Sequence, residues 1–98
     1  SAEFPYRQVV YVCGDDIKRK KPDPEVFQMA CERLSLRPEQ CVVVEDAPDG
    51  VQAARAAGCK CIAVTNTFPP EILQLKQPDL IVDSLSEVSL DTLFSLFA

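Results

Sequence analysis

Five charged side chains have the type and spacing to do chemistry: Lys21, Glu45, Asp46, Asp49 and Asp15. Glu45 and Asp46 are adjacent and close an apolar run, "CVVVE" at 41–45. Carboxylates at the end of a buried strand are costly unless a cation or a metal pairs with them. As hard oxygen donors they suit Mg²⁺, which takes one or two carboxylates plus waters and substrate phosphate. The plainer alternative is that only one of them faces inward and caps the helix that follows. Lys21 is the last cation of "KRKKPDPEVF" at 18–27. Pro22 pushes the Lys21 backbone toward the extended region and restrains it. A restrained lysine beside phosphate and carboxylates can neutralise developing charge. Charge alone reads the whole run as a solvated basic loop, and Lys18, Arg19 and Lys20 keep that reading. Asp49 and Asp15, the latter in "CGDD" at 13–16, are candidates for supporting acids that hold no metal themselves. Asp49 reads first as an ordinary first-turn helix charge.

Positioning these residues requires elements of two alternating kinds. "QVVYV" (8–12), "CVVVE" (41–45), "KCIAV" (60–64) and "DLIVD" (79–83) are short, β-branched and apolar. The unbroken run in "CVVVE" is the mark of a strand covered on both faces. Between them lie helix patterns. In "PDPEVFQMACERL" the residues Val26, Phe27, Ala30, Cys31 and Leu34 recur at spacings of three and four. Asp23 suits the N-cap, Pro24 the first helical position, and Glu25 the positive helix end. "PDGVQAARAAG" (48–58) is alanine-rich and closes on a glycine fit to end a helix. "PPEILQLKQP" (69–78) and "SLDTLFSLF" (89–97) give two further helices. Strand alternating with helix implies a parallel sheet with helices on its faces, an α/β fold. In such sheets ligands bind beyond the carboxyl ends of the strands. Both "CGDD" and "EDAPDG" (45–50) fall there.

The 98 residues, 47% apolar and 26% charged, make one small globular domain spanning 1–98. A net charge of −5 argues against a nucleic-acid partner. No apolar run approaches the roughly 18 residues of a membrane span, so no membrane partner is expected. Five cysteines, an odd number on apolar segments, suggest reduced thiols. They place the chain in a reducing compartment, the cytoplasm first and an organelle second. Cys59-Lys60-Cys61 is not zinc spacing, and the two thiols read as small hydrophobes on one strand face. The chain has no histidine, so the usual nitrogen ligand and the usual general base are both absent.

Taken together, "KKPDPEVF" and "CVVVEDAPDGVQAARAAG" resemble the third and fourth motifs of the haloacid dehalogenase-like (HAD) hydrolase superfamily. The spacing from Lys21 to Glu45 and the continuation "GCKCIAVTN" are similar too, so the resemblance runs from about 8 to 93. The resemblance is closest to the subgroup of β-phosphoglucomutases and small phosphatases. It implies a three-layer α/β/α, Rossmann-like core, here partial, with a mostly parallel sheet of about four strands. It implies that Lys21 stabilises the nucleophile and the transferring phosphoryl group. It implies that Asp46 ligates Mg²⁺ directly and that Glu45 helps through water. Ala47 stands where many members have serine, so no side-chain ligand is expected there. The implied substrate is a small phosphorylated metabolite, turned over through a phospho-aspartate.

The family's nucleophile motif, of the "DxDGT" type, is not in this sequence, nor are the second motif and the cap. The chain therefore resembles a C-terminal segment of the core domain. Phosphoryl transfer needs a nucleophile held in line with phosphorus. The expectation is that the intact parent is a phosphoric monoester hydrolase or phosphomutase and that the 98 residues alone are inactive. Its expected partner is the missing N-terminal segment or a second copy. The alternative function is a non-catalytic HAD-derived module for binding or assembly, using the sheet edge left open. A receiver domain would carry its acidic pair before the Lys-Pro step, the reverse of the order here. A P-loop ATPase would need a Gly-x-x-x-x-Gly-Lys-Ser/Thr loop, which is absent.

Overall fold

The structure is a computed structural model that describes residues 20–97. Strands β1 (Val42–Glu45), β2 (Lys60–Val64) and β3 (Leu80–Val82) form one sheet among these residues, in the order β1-β2-β3. Both pairings are parallel, with Val42 opposite Lys60, Glu45 opposite Ala63, and Ile62 opposite Leu80. Helices α1 (Glu25–Leu34), α2 (Pro48–Ala57), α3 (Pro70–Gln74) and α4 (Leu90–Ser95) fill the connections. Short 3₁₀ turns lie at Pro38–Gln40 and Leu85–Glu87. The expected strand at 8–12 and the "CGDD" segment with Asp15 lie outside the described residues.

The sheet separates two apolar layers. On one side Val51 and Ala54 of α2 pack with Cys61, Ala63 and Leu73, joined by Phe27, Val43, Phe68 and Ile81. Next to them Cys31, Cys41, Ala57 and Cys59 are buried together. On the other side Ile62, Val64 and Val82 meet Leu93 of α4 and Leu96 just after it. Helices thus cover both faces, as a three-layer α/β/α core requires. Small residues on α2 (Ala53, Ala54 and Ala57, each buried) let that helix lie close on the strands. Gly58 ends it at φ 90°, donating to Ala54 O and Arg55 O. That left-handed backbone suits glycine.

One expectation is displaced by a strand. β2, not β1, is the strand covered on both faces, with Cys61 to Val64 all buried. β1 lies at the edge of the described sheet, and Val44 is 44% exposed. An apolar run reports β-branched composition, but coverage depends on what packs over each face of the sheet. α3 is shorter than its sequence pattern, because only Leu73 of its apolar residues is buried while Ile72 and Leu75 face solvent. Four described cysteines are free thiols. Burial pushes Cys31 up to about 11, and Cys41 and Cys61 each up to about 12, from an ordinary 9.0. They act as small hydrophobes, with Cys31 Sγ and Cys59 Sγ 3.6 Å apart.

Candidate active site

Lys21, Glu45 and Asp46 meet at the carboxyl end of β1. Lys21 sits in a turn closed by Asp23 N donating to Lys20 O at 3.0 Å. The turn runs into α1, where Asp23 Oδ1 accepts from Glu25 N at 3.0 Å. Asp23 thus satisfies an open N–H of the first turn, although the helix itself starts one residue later than its sequence pattern suggests. Lys21 Nζ lies 5.3 Å from the centre of the Phe27 ring. Phe27 is fixed in turn by the core clusters on either side of it. The aromatic face holds the ammonium by cation–π attraction.

From there Lys21 Nζ donates to Glu45 Oε2 at 2.6 Å. Glu45 is 9% exposed and Lys21 is 39% exposed. The carboxylate is therefore enclosed while the ammonium keeps an open side. Glu45 Oε1 accepts from the backbone N–H groups of Asp46 and Ala47, at 3.2 and 3.4 Å. Glu45 is thus folded back over its own turn, and α2 starts with Ala47 as an N-cap without a side-chain bond. Neither acidic side chain caps that helix.

The enclosure depends on Gly50 in the first turn of α2. A Cβ there would stand 2.0 Å from Glu45 Cδ and 2.2 Å from Glu45 Oε1. Asp46 is half-buried, and its Oδ2 accepts from the Thr67 hydroxyl at 2.9 Å. Thr67 follows β2, whose carboxyl end adjoins that of β1 through the Glu45–Ala63 register. Asp49 is exposed in the first turn of α2, away from these contacts. Lys20 is exposed; Lys18, Arg19 and Asp15 lie outside the described residues.

Sequence reasoning assigned no site role to Phe27, Gly50 or Thr67. Phe27 read as an ordinary core position. Gly50 carried a signal, since glycine inside a helix costs about 1 kcal/mol against alanine and so needs a reason such as a close approach. Thr67 carried none, because its partner is 21 residues away across two elements.

Among the described residues no three His, Cys, Asp or Glu side chains converge as a metal cage. The donor set instead suits a cation that needs few protein ligands. Glu45 is engaged by Lys21, and Asp46 offers a half-buried carboxylate with one oxygen already bonded. Mg²⁺, which keeps several waters and phosphate oxygens in its shell, fits such a donor.

A parallel α/β sheet with a lysine and a carboxylate pair beyond a strand end has charged groups where such sheets bind ligands. A family model described as haloacid dehalogenase-like hydrolase matches residues 6–64. The validoxylamine A 7'-phosphate phosphatase of Streptomyces hygroscopicus subsp. limoneus is 42% identical over 79 residues, which are 81% of this chain and 36% of that protein. Hexitol phosphatase A of Escherichia coli is 41% identical over 80 residues, 82% of this chain and 36% of that one. The crystal structure of a β-phosphoglucomutase from Clostridium difficile superposes with a TM-score of 0.71 at 29% identity, covering 85% of this chain and 35% of the other. The chain belongs to the haloacid dehalogenase-like hydrolase family and groups with its small phosphatases and phosphomutases. It spans about a third of the length of these relatives.

Proposed function

We propose that this chain is the C-terminal, lysine-and-acid half of a Mg²⁺-dependent phosphatase or phosphomutase acting on a small phosphorylated metabolite. The observation that carries this reading is the Lys21–Glu45 pair at 2.6 Å, with Asp46 next to it and held from the other side by Thr67. An ammonium has three N–H donors, and Glu45 takes one. The exposed side of Lys21 leaves the others for a phosphate oxygen and for an incoming carboxylate nucleophile. Glu45, enclosed and paired, holds Lys21 and would assist a bound metal through water. Asp46, with one oxygen bonded to Thr67, would hold the ion. When bound, Mg²⁺ neutralises charge on the phosphoryl oxygens. Asp49, exposed on α2, and Asp15 are supporting acids at most.

The nucleophilic aspartate comes from outside these residues, on an N-terminal segment of the same protein, so the chain alone has no turnover. Two experiments test this. The chain, given p-nitrophenyl phosphate and Mg²⁺, shows no metal-dependent hydrolysis; turnover that Asp46→Asn abolishes would sink the reading. In the intact protein Lys21→Ala and Asp46→Asn each abolish activity, while Lys20→Ala leaves it within about twofold. Equal effects of Lys20→Ala and Lys21→Ala would return the whole basic run to a solvated loop. An assembly module would instead tolerate all three substitutions.

A further inference from the structure

We infer that Thr67 is a positioning residue for the metal-binding carboxylate: it turns Asp46 so that Oδ1 is the oxygen presented to the cation. The inference rests on the reading of Asp46 as a Mg²⁺ ligand and extends it to the loop after β2.

The backbone at Asp46 is set locally, since its N–H donates to Glu45 Oε1. Its side chain is not set by that bond. An aspartate has two rotatable bonds and two chemically equal oxygens. Left alone, it would sample several directions beside the strand end. α2 gives no help, because its N-cap is Ala47 and contributes no side-chain bond. Thr67 Oγ1 donates to Asp46 Oδ2 at 2.9 Å, the length of a sound O–H···O bond. Among the described residues no other hydrogen bond engages that carboxylate. One oxygen is thereby fixed as an acceptor, and the other has no hydrogen-bond partner among the described residues.

Fold topology explains why the loop can do this. β1 and β2 are parallel neighbours, so their carboxyl ends lie side by side. Thr65, at the end of β2, is itself tied to the next strand end through Asp83 Oδ1 at 2.8 Å. Phe68, just after Thr67, is packed against the buried cluster of Val51, Ala63 and Leu73. The hydroxyl is therefore delivered from a loop anchored on both sides. Residues that hold a metal ligand in place typically contribute 10- to 100-fold in metal affinity. Thr67 is exposed, which sets the expected effect at the lower end, about tenfold.

The test uses the ¹⁵N-labelled chain and Mn²⁺ as a paramagnetic probe. Mn²⁺ broadens the amide signals around Asp46, and the concentration giving half-broadening measures affinity. Thr67→Val, which keeps the shape and removes the hydroxyl, raises that concentration about tenfold. Thr67→Ser, which restores a hydroxyl, brings it back to within about threefold. Amide positions in β2 and α2 stay unchanged in both variants, which separates loss of positioning from loss of fold. Unchanged half-broadening in Thr67→Val, with Asp46→Asn abolishing it, overturns the role of Thr67 and leaves the metal reading standing. Broadening that Asp46→Asn does not affect overturns both. In the intact protein the same substitution raises the Mg²⁺ concentration for half-activation about tenfold, with kcat at saturating Mg²⁺ little changed. A fall in kcat at saturating Mg²⁺ with an unaltered Mg²⁺ requirement would likewise refute positioning.

Discussion

Replacing Gly50 with alanine pits two effects of opposite sign against each other. Gly50 lies in the first turn of α2 with ordinary helical backbone, so alanine should favour the helix by about 0.5–1 kcal/mol. The added Cβ, however, would fall 2.0 Å from Glu45 Cδ and 2.2 Å from Cγ and Oε1. No real contact is that short, so the Glu45 side chain must leave its niche. It then gives up the bond from Lys21 Nζ and the two backbone donors at Asp46 and Ala47. At about 1 kcal/mol net for each hydrogen bond the loss is about 3 kcal/mol. Lys21 is 39% exposed and the Ala47 bond is long, so the lower part of that figure applies. The net effect is a destabilisation of about 1–2 kcal/mol, or a fall in Tm on the order of 5–15 °C for a domain of this size. Urea unfolding followed by circular dichroism measures it. The sign should reverse in a Glu45→Ala background, where the obstacle is gone and only helix propensity remains. A Gly50→Ala variant more stable than the parent in the Glu45 background would refute the reasoning, because it would mean that the carboxylate does not occupy the space against α2.

Lys21→Met removes the partner of an enclosed carboxylate and should destabilise by about 1–2 kcal/mol, discounted for the exposed ammonium. Because it shares Glu45 with Gly50→Ala, the double variant should lose less than the sum of the two, as urea midpoints of the four proteins will show. Stability should also fall at alkaline pH. The buried thiols titrate at an ordinary 9.0 when unfolded and at about 11 to 12 when folded. Above pH 9 the unfolded chain therefore binds fewer protons than the folded one, and stability present below pH 9 drains away as pH rises toward 11–12. Urea midpoints between pH 8 and 11 should decline less steeply for Cys61→Ala than for the parent, and parallel declines would refute the account. In native protein at pH 8 the four described thiols should resist an aromatic disulfide reagent and react once guanidinium is added.

The parts legible in the sequence were those governed by local rules. The period of three and four along Phe27, Cys31 and Leu34 fixed α1, and a closing Gly58 marked the end of α2. The three strands among the described residues came out within a residue of their expected bounds because β-branched runs bounded by polar turns have few other solutions. Glu45 and Asp46 were legible for a topological reason, since residues at or just past the end of a parallel strand lie at the end of the sheet where ligands bind, whereas Lys21, which charge alone read as part of a solvated loop, joined them only through the resemblance of its motif. What was not legible depends on distant partners. Nothing in "CVVVE" foretells which of its residues will be covered, and Val44 is 44% exposed. "PPEILQLKQP" has the composition of a longer helix, yet Leu75 finds no layer to pack against and is 74% exposed. The different roles of the two acids were implied by the resemblance of their motif, whereas their settings were not legible: Glu45 ends β1 and is enclosed, and Asp46 lies just past the strand and is half-buried.

Each polar group is held by an element other than its own. Lys21 rests on Phe27 of α1 and on Glu45 of β1; Glu45 is folded against Gly50 of α2; Asp46 is held by Thr67 beyond β2. The burial that sets these positions comes from the apolar layers beneath. Electrostatic stabilisation of a transferring group works when its dipoles and charges are fixed in advance, so that none must reorganise during reaction. A lysine on a free loop would have to give up its rotamer freedom when substrate binds, and long side chains carry up to about 2 kcal/mol of it. Here the ion pair with an enclosed carboxylate has already met part of that cost. The same arrangement gives the enclosure of Glu45 a use: a carboxylate packed against Gly50 and bonded by two backbone N–H groups is a fixed anchor for the Lys21 ammonium.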